Sequence, residues 1–540
     1  MSSMIVAPQP IAVEEGAKVL MEGSNAVDAA VTCAFVQSVV SPHSCGIGGY
    51  LILTLGLAPG HPGYAEPGFL ALDAPALAGS LVTPGMWEEI AIRPNPDGWG
   101  YFLQGKVNDV GYRSICVPGT VRGLATMLER WGTISWGQAI APAARIAEEG
   151  FVVDPHLAGG WKSVAAYPEA CSSLDRIRAN AEASRIYLRD GAPYEPGEVL
   201  RNPDYARTLR HLAGRGADDF YHGELARRMS EDLAVNGSTV TAEDLAEYRI
   251  REPQPVVGTY RKYTVVTSPP PHGGPTLLAL LNILEGYDLA VLGHNSPEYI
   301  YLVSMAMKAA FADRNPLLGD PEYVEVPLGH MTSKERAREW RERMDRGQEI
   351  AVSFVPPGPP STTHVSVVDG QGNCVALTHS LGSSSGVITP GLGFMYNNSM
   401  VNFHPWSGHP NSIAPHKSRT TGMTPTIVYQ AGRPLLVIGA PGATRIITSV
   451  AQVILNVLDF GMRISDAVLA PRFDCQGDRI VCQARIPEYV CARVRAKHPI
   501  RRLPHSHGGL ALVHAIAIDP RTGELAGGAD AGSGGMALRV

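Results

Sequence analysis

Charge is scarce in this sequence. Aspartate, glutamate, lysine and arginine make up 18% of 540 residues, the formal net charge is -6, and no dense lysine or arginine run occurs. A surface that tracks phosphates needs such a run, so nucleic acid is not an expected partner. Eight cysteines are present, but never as C-x-x-C and never at zinc-like spacing from histidine, which argues against a disulfide framework and a structural metal. No apolar stretch is long enough to span a bilayer, so no membrane partner is expected. The opening Met1-Ser2-Ser3-Met4-Ile5-Val6-Ala7-Pro8 lacks the charged region and apolar core of a secretory signal, and a cytoplasmic location is the expectation. Internal repeats and low-complexity arms are also missing. What is there is 45% hydrophobic and long enough to bury a large core.

One stretch stands out against that background. Thr362-Thr363-His364-Val365-Ser366-Val367-Val368 and Cys374-Val375-Ala376-Leu377-Thr378 are alternating, β-branched-rich runs joined by Asp369-Gly370-Gln371-Gly372-Asn373. The pattern predicts a β-hairpin whose turn residues supply positive φ. Before it, Pro356-Pro357-Gly358-Pro359-Pro360 can neither continue a helix nor pair in a central strand. A strand that begins abruptly after such a segment is where a cut could create a new N-terminus. A threonine there would carry its own base, because the free α-amino group can take the hydroxyl proton. On pattern alone, an ordinary edge hairpin with a polar first residue is the plainer reading.

Resemblance changes that. Thr362-Thr363-His364-x-Ser366-Val367-Val368-Asp369, with Gly372-Asn373 after it, resembles the start of the small subunit in the γ-glutamyltransferase (glutathione hydrolase) family of N-terminal-nucleophile hydrolases. Further blocks match in the same order along nearly the whole chain, among them Val117-Pro118-Gly119-Thr120, Asn397-Asn398-Ser399-Met400 and Ala440-Pro441-Gly442-Ala443. The resemblance implies an α+β fold, a four-layer αββα sandwich. It implies a precursor that cleaves itself between Ser361 and Thr362, leaving segments 1–361 and 362–540 associated in one intertwined fold. Thr362 is then the nucleophile that forms an acyl-enzyme with amide substrates. Ser380 matches a family threonine whose hydroxyl supports it. Gly442 and Ala443 stand where the family has Gly-Gly, whose backbone N–H groups bind the developing oxyanion; alanine removes neither donor.

The implied substrate-binding positions are Thr363, Gly382, Ser399, Asn402, Thr421 and Gly422, and here the sequence departs from γ-glutamyl-specific relatives. The family arginine that grips the substrate α-carboxylate falls on Pro75, which cannot make a bidentate clamp. The aspartate that binds the α-amino group falls on Asn402, a family glutamine falls on Ser399, and one of two family serines falls on Gly422 while Thr421 keeps a hydroxyl. Arg419 or Arg445 could replace the clamp from another direction. The loop His404 to Ser418 looks shorter than in relatives with a lid, which predicts a more open pocket.

Other motifs carry less. Ser384 centres a G-x-S-x-G match, but a loop follows it where a nucleophile elbow needs a helix. His272, in Pro269-Pro270-Pro271-His272-Gly273-Gly274, reads as a turn or rim residue more than as a base. His505 and His507 lack an evident third metal ligand. Asp313 and Arg314 read as a buried ion pair or cap. The combined expectation is a cofactor-independent, metal-free amide hydrolase that passes an acyl group from a small-molecule amide to water or an amine, with the oligomeric state open. One alternative keeps the machinery but assigns a non-γ-glutamyl donor, such as a small amidated acid or a β-lactam side-chain amide. Another is an unprocessed binding homologue, against which the retention of Thr362, Thr363, Ser380 and the Gly442-Ala443 turn argues.

Overall fold

The structure, a computed structural model, describes residues 2–95, 100–165, 167–352 and 362–540. Its framework is two six-stranded antiparallel sheets in a mixed helix and sheet protein. The first uses β1 (Met4–Ala7), β2 (Tyr50–Gly56), β3 (Phe69–Ala74), and the second begins with β4 (Val256–Tyr260) and β5 (Tyr263–Thr267). The hairpin strands β6 (Thr363–Val368) and β7 (Cys374–Ser380) join the first sheet, β8 (Thr426–Gln430), β9 (Arg433–Gly439), β10 (His514–Ile518) and β11 (Leu525–Ala529) join the second, and β12 (Met536–Arg539) returns to the first. The orders are β12-β1-β6-β7-β2-β3 and β4-β5-β8-β9-β10-β11. The expected hairpin is therefore present but central, paired on its outer sides with β1 and β2.

Alternation explains the two faces of β6. Val365 and Val367 pack with α1 (Pro10–Met21) and α2 (Ala26–Val40) in one large core, while Val368, Ala376, Ile427, Val437 and Ile516 form an apolar cluster drawn from both sheets. Helix α2 is buried along its entire length, which its Ala/Val-rich body allows. It starts at Asn25, whose side chain accepts from the Val27 and Asp28 N–H groups, with Asp28 reciprocating in a capping box. A second core gathers α3 (Gly274–Leu284), α4 (Pro297–Leu317) and α6 (Arg445–Leu458) with strands of the second sheet, and the charged helix α5 (Lys334–Asp345) buries only Ala337 and Trp340 against it. The expected Asp313–Arg314 pair does not form. Asp313 accepts from the Arg336 guanidinium and the Trp340 indole, while Arg314 donates to the Thr421 carbonyl at 3.1 Å. Adjacent helical residues point about 100° apart, so each meets a different neighbour. Among the described residues, no helix is long and apolar enough to cross a membrane.

Three histidines with no exposed surface, His364, His379 and His514, lie in these cores. Burial holds His364 well below the usual range and pushes His379 to about 3 and His514 to about 4. In the unfolded chain they take protons near pH 6.5, so the unfolded state binds more protons below that pH and stability rises with pH. The contribution is fully present above about pH 6.5 and is lost as pH falls toward the folded values. Each histidine should cost about 1 kcal/mol between pH 6.5 and 5.5. A melting temperature unchanged from pH 7.5 to 5 would contradict this.

Candidate active site

The hairpin is fixed to α2 at both ends. At its tip, Asp369 Oδ1 accepts from the Gln371 and Asn373 N–H groups at 2.9 and 3.0 Å, and its Oδ2 accepts from the Ala26 N–H at 2.9 Å, at the start of α2. At the open end, buried Gln37 of α2 donates to Thr363 Oγ1 at 2.9 Å, and its Oε1 lies 2.9 Å from His379 Nε2. Thr363 also donates to Gln9 at 3.0 Å. Its hydroxyl thus serves strand placement on the helical side of the sheet, not the substrate contact expected of it, because neighbouring strand residues face opposite ways.

Thr362, just before β6, faces the other way. Its Oγ1 lies 3.0 Å from Ser380 Oγ at the end of β7, and that oxygen accepts the Gly382 N–H at 2.8 Å. A serine oxygen that already accepts keeps its own proton to donate, and Thr362 is within reach. The nearest strand histidines are engaged elsewhere: His364 with Thr378 and Ser366, His379 with Gln37. Ser361, the other half of the expected cleavage bond, lies outside the described residues.

Gly382, Asn402 and Ala443 line one cavity of about 80 Å³. Gly442 has φ +142°, and a Cβ there would come within 2.5 Å of the Ala511 backbone. Ala443 has φ +56°, a left-handed conformation that strains a residue with a side chain by about 1 to 2 kcal/mol. Such strain at a turn leading into α6 is the kind that marks functional backbone. Gly422 packs so closely on this turn that a Cβ would sit 2.1 Å from the Ala443 carbonyl oxygen. Its role is close approach, in addition to the hydroxyl it lacks. Thr421 is buried, with Oγ1 2.7 Å from His272 Nδ1, and His272 Nε2 lies 3.1 Å from Asp73 Oδ1. His272 is 1% exposed and so is not a rim residue. Ser399 is fully buried and away from the cavity lining. Ser384, at φ +62°, offers its carbonyl to Arg176 at 3.0 Å and starts no helix.

The segment Tyr101 to Leu103 walls the cavity, and Tyr101 meets His404 and Trp406 edge-on at 5.0 and 5.5 Å, so the short 404–418 loop is packed against a neighbour that its own sequence does not reveal. Arg445 donates to the Gly509 carbonyl and lies 3.9 Å from Asp474, and neither it nor Arg419 lines the cavity. Arg419 is buried behind Tyr50, bonded to the phenol and with its guanidinium 4.7 Å from the ring centroid. Among the described residues, the cations that line the cavity are Arg176, paired with Asp109 at 2.7 Å, and Lys106, which donates to the Ala170 carbonyl at 2.6 Å. Neither carries a local sequence signal.

A family model described as gamma-glutamyltranspeptidase matches residues 12–540. The chain belongs to the gamma-glutamyltranspeptidase family. It is 35% identical over 532 residues to the acylase ACY 1 proenzyme of Pseudomonas sp. (strain V22), covering 97% of this chain and 91% of that protein. It is 36% identical over 494 residues to a glutathione hydrolase proenzyme of Pseudomonas sp. (strain A14), covering 88% and 82%. The crystal structure of a cephalosporin acylase from Bacillus halodurans superposes with a TM-score of 0.85 at 27% identity, over 99% of this chain and 95% of that one. As a gamma-glutamyltranspeptidase-family protein, the chain is a hydrolase and acyltransferase of the self-processing, N-terminal-nucleophile kind, as its hairpin motif implies.

Proposed function

We propose that Thr362 is the nucleophile of an amide hydrolase and acyltransferase, released by cleavage of the Ser361–Thr362 bond. The observation that carries this is the 3.0 Å approach of the Thr362 and Ser380 hydroxyls at the head of a central strand. In processing, Thr362 Oγ1 attacks the Ser361 carbonyl and its proton passes to the departing nitrogen; the C–N bond breaks, which frees the Thr362 amine and leaves an ester, and water hydrolyses that ester to regenerate the Thr362 hydroxyl and release a Ser361 carboxylate. The amine then takes the Oγ1 proton in each turnover. Oγ1 attacks the substrate amide, the Gly442 and Ala443 N–H groups receive the oxyanion, and the proton passes to the departing amine. Water or a second amine completes the cycle. The four-layer αββα reading rests on the apolar cluster shared by the two sheets and on helices packed with each, and the interleaved strands support two fragments that stay together.

The acyl group is proposed to be other than γ-glutamyl, as in the acylase reading. Asn402 and the Pro75 position lack the charges a γ-glutamyl donor needs, and Lys106 supplies a cation to the cavity for a small carboxylated acyl group. Rapid quenching with a slow amide tests the mechanism: the 362–540 fragment should gain the mass of one acyl group on Thr362. Turnover with no such adduct and no processed fragment would sink it.

Ser380→Ala should slow both processing and turnover, by about 10- to 1,000-fold, since a hydroxyl in contact with the nucleophile is removed. Ser380→Thr, the family residue, should restore most of the loss. Wild-type rates in the alanine variant would remove Ser380 from the site.

A further inference from the structure

The cavity lined by Asn402, Ala443 and Gly382, the last close along the chain to Ser380, is small for a substrate pocket, whose usual range is about 300 to 1,000 Å³. Beside it lies a second cavity of about 500 Å³, and the two share wall residues, among them Cys171, Arg176 and Ser383. Its chemistry differs from that of its neighbour. Trp161, Tyr167, Val164, Ile177 and Met395 give it an apolar, aromatic lining, and no carboxylate is among its described lining residues. Arg176 brings no spare charge, because its guanidinium is held by the Asp109 carboxylate at 2.7 Å and by the carbonyls of Asp109 and Ser384. His43 is pushed toward its neutral form by burial beside His156. Val164 is 90% exposed, an uncovered apolar side chain on this wall. Asn95 and several serines also line it, but an ionised group placed here would meet no carboxylate and only a guanidinium already paired, whereas a ring would lose only contact with water.

We infer that this second cavity binds the amine half of the amide, and that the half it takes is bulky, uncharged and ring-bearing. The inference rests on the proposed function, because it assigns the acyl half to the small cavity, where Asn402, Lys106 and the Ala443 turn meet. An amide spanning both cavities then passes Ser383 and Arg176 and carries its leaving group into the larger one. The amine acceptor of the transfer reaction enters the same space.

The test uses processed protein and secondary amides that share one short carboxylated acyl group and differ in the amine: methylamine, benzylamine, 2-naphthylmethylamine and 4-carboxybenzylamine. The aryl members have similar basicity, so intrinsic reactivity changes little among them. The expected result is that kcat/KM rises about 10- to 100-fold from methyl to naphthylmethyl, the range expected for burying a ring, and falls again for the carboxybenzyl amide. The acyl-enzyme formed from every member should hydrolyse at one rate, because the amine has already left. Gly159 lines this cavity, and a Cβ built on it meets no atom within 4 Å. Gly159→Phe should therefore fold and lower the naphthylmethyl-to-methyl preference at least tenfold, whereas Gly159→Ala should keep it. A flat series with normal turnover of the methyl amide would overturn the inference and leave the proposed function standing, as would a preference for the carboxybenzyl amide. Absence of turnover on every amide, with no acyl adduct on Thr362, would overturn both.

Discussion

Thr362→Ala should remain a single 540-residue chain and lose turnover by at least about 10⁴-fold, the scale on which nucleophile removal acts in enzymes that form acyl intermediates. The two losses have one cause. In the proposed mechanism Oγ1 attacks the Ser361 carbonyl during processing and the substrate carbonyl afterwards, so the methyl of alanine abolishes both, while the fold is spared because Thr362 lies outside the β6 ladder and is bonded through its side chain to Ser380. Thr362→Ser keeps an oxygen at this position and should process and turn over at reduced rates. Intact mass and N-terminal sequencing of wild type should give fragments 1–361 and 362–540. A wild-type chain that stays whole yet turns over amides would show that the α-amino group of Thr362 is not the base, since that group would still be tied in a peptide bond.

The second large effect concerns substrate choice. On donors with one aniline leaving group, kcat/KM for a γ-glutamyl anilide should fall below that for a short carboxylated acyl anilide by two or more orders of magnitude. A γ-glutamyl group carries an ammonium and a carboxylate on one carbon, and losing the partner of a buried charge costs about 2 to 5 kcal/mol. Asn402 lines the cavity with an amide, not a carboxylate, and Arg419 and Arg445, which could have replaced the missing clamp, are directed at Tyr50 and toward Gly509 and Asp474. Asn402→Asp is nearly isosteric and should raise the γ-glutamyl share of activity by about tenfold or more. A γ-glutamyl anilide that is the best donor for the wild type would defeat this reading.

Local chemistry makes part of this site legible in the sequence. Turn residues and alternation mark the hairpin, and Asn25 marks the start of α2, because each is decided within a few residues of chain. The facing of Thr363 is hidden, since which side of a strand meets helices depends on how the sheet is covered. His272 looks like a rim residue in its Pro/Gly setting for a similar reason. Its neighbour Asp73 lies on β3, far away in sequence, and only the packing of both sheets brings the two together. Tyr101, Lys106 and Arg176 belong to a short strand, a 3-10 turn and a short helix whose position is set by contacts with Trp406, Ala170 and Asp109. That they wall the cavity does not follow from the short loop opposite.

The order of the strands bears on how the two pieces would relate to each other. In the first sheet, β12, β6 and β7 come from one side of residue 362 and β1, β2 and β3 from the other, and the ladders β12/β1, β1/β6 and β7/β2 each cross that boundary, as does β5/β8 in the second sheet. A complex of this sort arises from scission of a finished fold, not from encounter between partners. Once cut, the two chains separate by mass action, so the midpoint of reversible melting should rise with protein concentration, whereas that of the uncut Thr362→Ala chain should not. Separation would first have to break the ladders that cross residue 362, so each site should keep the two chains made from its own precursor, and subunits carrying different mutations should exchange no faster than the protein unfolds when two processed populations are mixed.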